Sequence, residues 1–94
     1  MEKVIGPSGT GKTKTIIKQA HDTNGVILCR NPYAMENKIK AYGLGYVSCF
    51  SYLSYLKGEI LTYNAPIYID DLEEFVRCAV PKLEGYGLTI DKED

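Results

Sequence analysis

The sequence is poor in arginine and histidine and has no long apolar run, and each scarcity excludes something. Arg30 and Arg77 are the only arginines, and the formal net charge is −1. That charge argues against an extended basic surface for duplex DNA, while a local contact with single-stranded nucleic acid stays open. No stretch approaches the about 18 apolar residues of a membrane span. The three cysteines, Cys29, Cys49 and Cys78, are dispersed and form no C-x-x-C pair. An odd, scattered set beside apolar neighbours reads as reduced core thiols, not as a zinc site or a disulfide framework. The single histidine, His21, falls near the end of a predicted helix, where a favourable dipole contact accounts for it better than catalysis does. No internal repeat, linker or low-complexity segment is present. The N-terminal residues run straight into a glycine-rich motif with no room for a secretory signal, so the expectation is a cytoplasmic protein that does not engage membranes.

What is there is a single domain's worth of chain, residues 1–94, with 45% hydrophobic and 24% charged residues. A chain of this size buries roughly 60–70% of the surface that its unfolded form exposes, sufficient for one modest core. Residues 6–13 read Gly-Pro-Ser-Gly-Thr-Gly-Lys-Thr, matching the G-x-x-x-x-G-K-[ST] phosphate loop at every fixed position. The motif lies between a short apolar run, Val4-Ile5, and a segment with helical spacing. Its glycines let backbone N–H groups turn inward, and the following helix adds a partial positive charge at the same point. Gly6, Ser8, Gly9, Thr10, Gly11, Lys12, Thr13 and Lys14 are the expected nucleotide-binding residues. Lys12 suits the β- and γ-phosphates, and the Thr13 hydroxyl suits Mg²⁺.

Taken in order, residues 2–5 read as a first strand and residues 12 to about 21 as a helix. Asn24-Gly25 turns the chain into Val26–Cys29, a continuous apolar run of the kind covered on both faces of a sheet. Asn31-Pro32 looks like an N-cap and first helical position, with Met35, Ile39 and Tyr42 at helical spacing and Gly43 beyond the end. Residues 46–50 read as a third strand, and Ser51 as the cap of a short helix through Lys57. Ile67-Tyr68-Ile69 is a further strand leading into Asp70-Asp71, and Leu72, Phe75, Val76 and Ala79 mark a helix stopped at Pro81. Residues 85–90 read as a last strand. This alternation predicts an α/β three-layer sandwich, with a mostly parallel sheet of about five strands and helices on both faces.

The acids at the end of Ile67-Tyr-Ile-Asp-Asp71 have two readings. A nucleotide-bound Mg²⁺ needs a carboxylate beside the phosphate loop, and the end of a buried strand provides one. Equally, Asp71, Glu73 and Glu74 suit the start of a helix.

GPSGTGKT with IYIDD resembles the Walker A and Walker B pair of the P-loop NTPases. Within that family the pattern looks like the AAA+ and RecA-like ATPases, in which a second acid follows the Walker B aspartate. Asp70-Asp-Leu72 is similar to the corresponding stretch of bacterial replication initiators and helicase loaders, and VILCRNPYAM to a segment of helicase-type ATPases. The resemblance implies ATP and Mg²⁺ as cofactors, phosphate and metal contacts from Lys12 and Thr13, metal support from Asp70, and water polarisation by Asp71. Lys12 and Asp71 are thus the expected catalytic pair. Most such proteins have Glu where Asp71 stands, one methylene longer. Thr89 falls where the family carries a polar sensor, though a β-branched residue also suits a strand.

Within these residues there is neither a second RecA-like lobe nor a helical lid. The expectation is therefore a stripped-down, weak or assembly-dependent ATPase, of a kind that some bacteriophages encode, serving DNA replication or packaging. A homo-oligomer or a partner protein would supply an arginine finger. Two alternatives stay open: a small nucleoside or nucleotide kinase, since guanylate kinase begins with a similar loop, and an ATP-binding regulator that does not hydrolyse. Tyr52 and Tyr55 could suggest stacking on single-stranded bases, but interior packing and hydroxyls at a wet rim account for them better.

Overall fold

The computed structural model describes residues 11–87. They form an α/β unit with an all-parallel, three-stranded sheet and four helices. Helix α1 is Lys12–Asp22, strand β1 is Val26–Cys29, and helix α2 is Pro32–Tyr42. Strand β2 is Ser48–Ser51, helix α3 Tyr52–Leu56, strand β3 Ile67–Ile69 and helix α4 Leu72–Ala79.

β1 is central and its four residues are all buried, as its unbroken apolar run requires. It pairs in parallel with β2 on one side, Ile27 opposite Cys49, and with β3 on the other, Ile27 opposite Tyr68. The pleat sends alternate residues to opposite faces. Ile27 and Cys29 join Ile16, Ile17 and Ala20 of α1 and Met35 and Ile39 of α2 in one buried cluster. Val26 and Leu28 therefore point to the other face, where α3 lies against β1 and β2 and packs on α4. The connections β1–α2–β2 and β2–α3–β3 cross the sheet in opposite directions, so a common right-handedness puts α2 and α3 on opposite faces. Helices thus cover both sides of the sheet.

Local signals set most of the boundaries. Asn31 caps α2, its side chain accepting from Ala34 N at 3.2 Å, and Pro32 takes the first helical position. Gly43 ends α2 at φ 65°. Ser51 Oγ accepts from Ser54 N at 3.1 Å and caps α3. Gly25 is needed for space: a Cβ there would lie 2.7 Å from the Pro66 carbonyl oxygen, which accepts from Val26 N where β1 meets β3.

Three expectations need correction. Three strands, not five, make up the sheet of the described residues: the predicted strand at 2–5 lies outside them, and residues 85–87 are not a strand. The strand expected at 46–50 runs instead from Ser48 to Ser51. The chain is still turning at Gly45, where φ is 94° and the His21 ring packs close enough to exclude a Cβ. The apolar stripe of α4 is not core either. No residue of α4 is fully buried and Leu72 is 54% exposed, because α4 packs mainly on α3. Tyr42, at the end of the α2 spacing, is 41% exposed. No helix among the described residues is long and apolar enough to cross a membrane.

Candidate functional site

All three strands point their C-terminal ends to one edge of the sheet, and β3 delivers Asp70 there. Its amide donates to Leu28 O at 2.9 Å, extending the β1–β3 ladder by one residue. Facing it is the start of α1. Gly11 takes the N-cap position at φ 81°, where an added Cβ would meet nothing within 4 Å. Glycine is thus required there for its backbone angle and not for space. Thr13, in the first turn, donates from Oγ1 to Asp70 Oδ1 at 3.2 Å. A hydroxyl and a carboxylate 57 positions apart in the chain are thereby joined across the sheet edge.

The first turn of α1 carries no acidic residue, so nothing of its own offsets the positive end of the helix. α4 is the opposite case. Asp71 caps it, its side chain accepting from Glu74 N at 3.2 Å, and Glu73 and Glu74 occupy its first turn. The two adjacent acids therefore split: Asp70 turns to Thr13, while Asp71 begins a helix. Asp71 has φ 72° and ψ 84°, a left-handed conformation that Asp tolerates better than most residues and that costs of order 1–3 kcal/mol.

A buried phenol holds this junction. Tyr52 follows β2 directly, is only 4% exposed, and sets its ring edge-on to Phe75 of α4 at 5.5 Å. Its hydroxyl donates to the Asp70 carbonyl, with the Asp71 carbonyl 3.2 Å away. Burial, and then the charges of Asp70 and Asp71, push the phenol above its ordinary range, so it stays a neutral donor. The sequence points to interior packing for Tyr52 but not to this bond. Nothing local in Ser51-Tyr52-Leu53 signals a partner 18 positions further on.

The remaining site residues divide. Lys12 opens α1 beside Thr13, partly buried. Lys14 extends elsewhere, its ammonium 5.7 Å from the centre of the Tyr42 ring. Gly6, Ser8, Gly9 and Thr10 lie outside the described residues, as does Thr89. Arg30 and Arg77, distant in sequence, line one cleft of about 310 Å³ with Ser51, Leu53 and Cys78. Arg77 donates to Glu73 at 2.9 Å, and Arg30 stands 4.0 Å from Glu74, both exposed. A second hollow of about 240 Å³, lined by His21, Asn24 and Tyr46, sits at the opposite, N-terminal ends of the strands.

Among the described residues no three His, Cys, Asp or Glu side chains gather into a metal-binding group. Thr13 and Asp70 instead offer two converging oxygens, the hard donors that Mg²⁺ takes while drawing its other ligands from water and phosphate. The cysteines are free, and burial with the nearby Cys49 raises the Cys29 thiol to about 12, an inert core group. Compared with protein-family models, with curated proteins and with solved structures, the chain matches none.

Proposed function

We propose that this protein binds Mg-ATP through the 6–13 loop and is a weak ATPase that gains competence on assembly. The bond from Thr13 Oγ1 to Asp70 Oδ1 carries the proposal. It joins the last residue of the phosphate-loop motif to the first acid of the Ile-Tyr-Ile-Asp-Asp stretch, the two places where a nucleotide-bound cation needs oxygen. Lys12, next to Thr13, would neutralise the β- and γ-phosphates, and the acid-free first turn of α1 would receive them. The cation, when bound, would offset charge on the phosphates. Asp71 would orient water, and its capping bond to Glu74 N leaves the second carboxylate oxygen available.

The outer edge of β3 has no partner strand among the described residues, and Ile67 on it is 38% exposed. Service in DNA replication or packaging, with copies of itself or a partner protein, is the wider setting proposed here.

The test is ATP binding by calorimetry for wild type and Lys12→Ala. At least tenfold weaker binding by the variant, about 1.4 kcal/mol, is expected. Equal affinities would remove the loop from nucleotide binding. Phosphate release, run beside phosphoryl transfer to nucleoside monophosphates, separates an ATPase from a small kinase.

A further inference from the structure

Neither stacking nor simple packing accounts for the Tyr52 hydroxyl, which among the described residues is the side-chain donor to the two carbonyls of Asp70 and Asp71. Asp70 is held at three points: its amide on Leu28 O, its carboxylate on Thr13, and its carbonyl on Tyr52. The next residue is in the left-handed region at φ 72°, a conformation that persists only when its surroundings impose it. Asp71's side chain is tied to α4 through Glu74 N, and Tyr52 lies under the peptide on the other side. The ring is fixed in turn, buried and packed on Phe75.

We propose that Tyr52 is the positioning residue of the metal-binding acid, holding the Asp70–Asp71 turn so that the Asp70 carboxylate faces Thr13. This rests on the Mg-ATP function proposed above and names a further residue of the same site. Tyr52 touches neither phosphate nor cation in this role; it acts through the main chain of Asp70. Without the hydroxyl, the part-buried Asp70 carbonyl loses its side-chain donor while the Asp71 carbonyl keeps Phe75 N at 3.2 Å, so the strained turn can relax on its Asp70 side and swing the base of that side chain. Partners that orient a metal-binding group in this way typically change metal affinity by about 10–100-fold when removed.

The test uses the full chain and the variant Tyr52→Phe, which keeps the ring against Phe75 and removes only the hydroxyl. ATP affinity is measured by calorimetry in EDTA and then across a Mg²⁺ titration. Tyr52→Phe is expected to match wild type in EDTA within about twofold, while needing about tenfold more Mg²⁺ for half of the metal-dependent gain. Ile39→Val serves as the control for stability alone. It deletes a methylene from the core on the opposite face and is expected to lower the melting temperature without moving the Mg²⁺ midpoint. ATP binding with an unchanged Mg²⁺ midpoint in Tyr52→Phe would overturn the role of Tyr52 and leave the proposed function standing. A Mg²⁺ midpoint that Ile39→Val shifts equally would overturn it too, by showing that lost stability suffices. Wild-type protein that binds no ATP would overturn the proposed function, and the positioning role with it.

Discussion

Thr13 and Asp70 are joined by a 3.2 Å hydrogen bond that ties the first turn of α1 to the end of β3. A threonine with no chemistry to perform would be free to bond its own helix, as Thr15 does by donating to Gly11 O at 3.1 Å. Thr13 bonds across the sheet instead. Asp70→Ala is expected to abolish most of the Mg²⁺-dependent gain in ATP affinity and to leave metal-free binding within about threefold. Metal-free and metal-loaded titrations of the same variant separate the two. An unchanged metal dependence would mean that the pair only fastens α1 to β3.

Asp71 has a structural task to be separated from any catalytic one. Asp71→Asn keeps an oxygen for Glu74 N and tolerates φ 72°, so it is expected to hold stability within about 0.5 kcal/mol. If the charge orients water, turnover falls by about 10²–10⁴ with ATP binding intact. Asp71→Ala loses the cap as well and is expected to cost about 1–2 kcal/mol in urea unfolding. Full turnover in Asp71→Asn would assign the residue to capping alone.

Much of this arrangement is legible from residues in isolation. Val26–Cys29 declares a central strand by being apolar throughout, and Asn31, Gly43 and Ser51 mark helix ends because each cap is a contact with a near neighbour. Thr13 ends the loop pattern and Asp70 follows the apolar Ile67–Ile69 run, so alternating strands and helices bring both to one sheet edge. Other features depend on distant partners and left no local trace. The left-handed turn at Gly45 beside the His21 ring precedes β2, and the stripe on α4 faces α3. Tyr52 looks like any packing aromatic until β2 is laid two strands away from Asp70.

The buried Cys29 thiol gives the fold a pH dependence in the alkaline range. Burial raises Cys29 from 9.0 to about 12, with Cys49 and Asp70 adding to it, and burial raises Cys49 and Tyr52 as well. Below about pH 9 folded and unfolded chains both keep the Cys29 proton, and it gives stability no slope. Between 9 and about 12 the unfolded chain releases a proton that the folded chain holds, so stability falls as pH rises. Urea midpoints measured from about pH 8 to about pH 11 are expected to drop, and to drop less steeply in Cys29→Ala. Parallel slopes for the two proteins would show that Cys29 is not the titrating group.

If the proposed ATPase reading holds, the arginines are the residues that would complete it. An arginine placed against a γ-phosphate is worth about 10³–10⁵ in rate where one is used. Arg30 and Arg77 share a cleft, and each faces a glutamate of α4, Glu74 and Glu73. Such exposed pairs hold by no more than about 1 kcal/mol, so either guanidinium can be drawn away by a stronger anion. Among the described residues their ion pairs are with Glu74 and Glu73, and delivery to a neighbouring copy is the proposal tested here. Turnover per subunit is therefore expected to rise with protein concentration as native mass rises. Arg77→Ala is expected to remove that rise and leave ATP affinity unchanged, with Arg30→Ala the weaker of the two because Arg30 lies farther from its glutamate and is less firmly oriented. The measurement is phosphate release across a wide dilution series beside native mass spectrometry. Fast turnover that stays constant down to a demonstrated monomer would eliminate the trans-acting arginine.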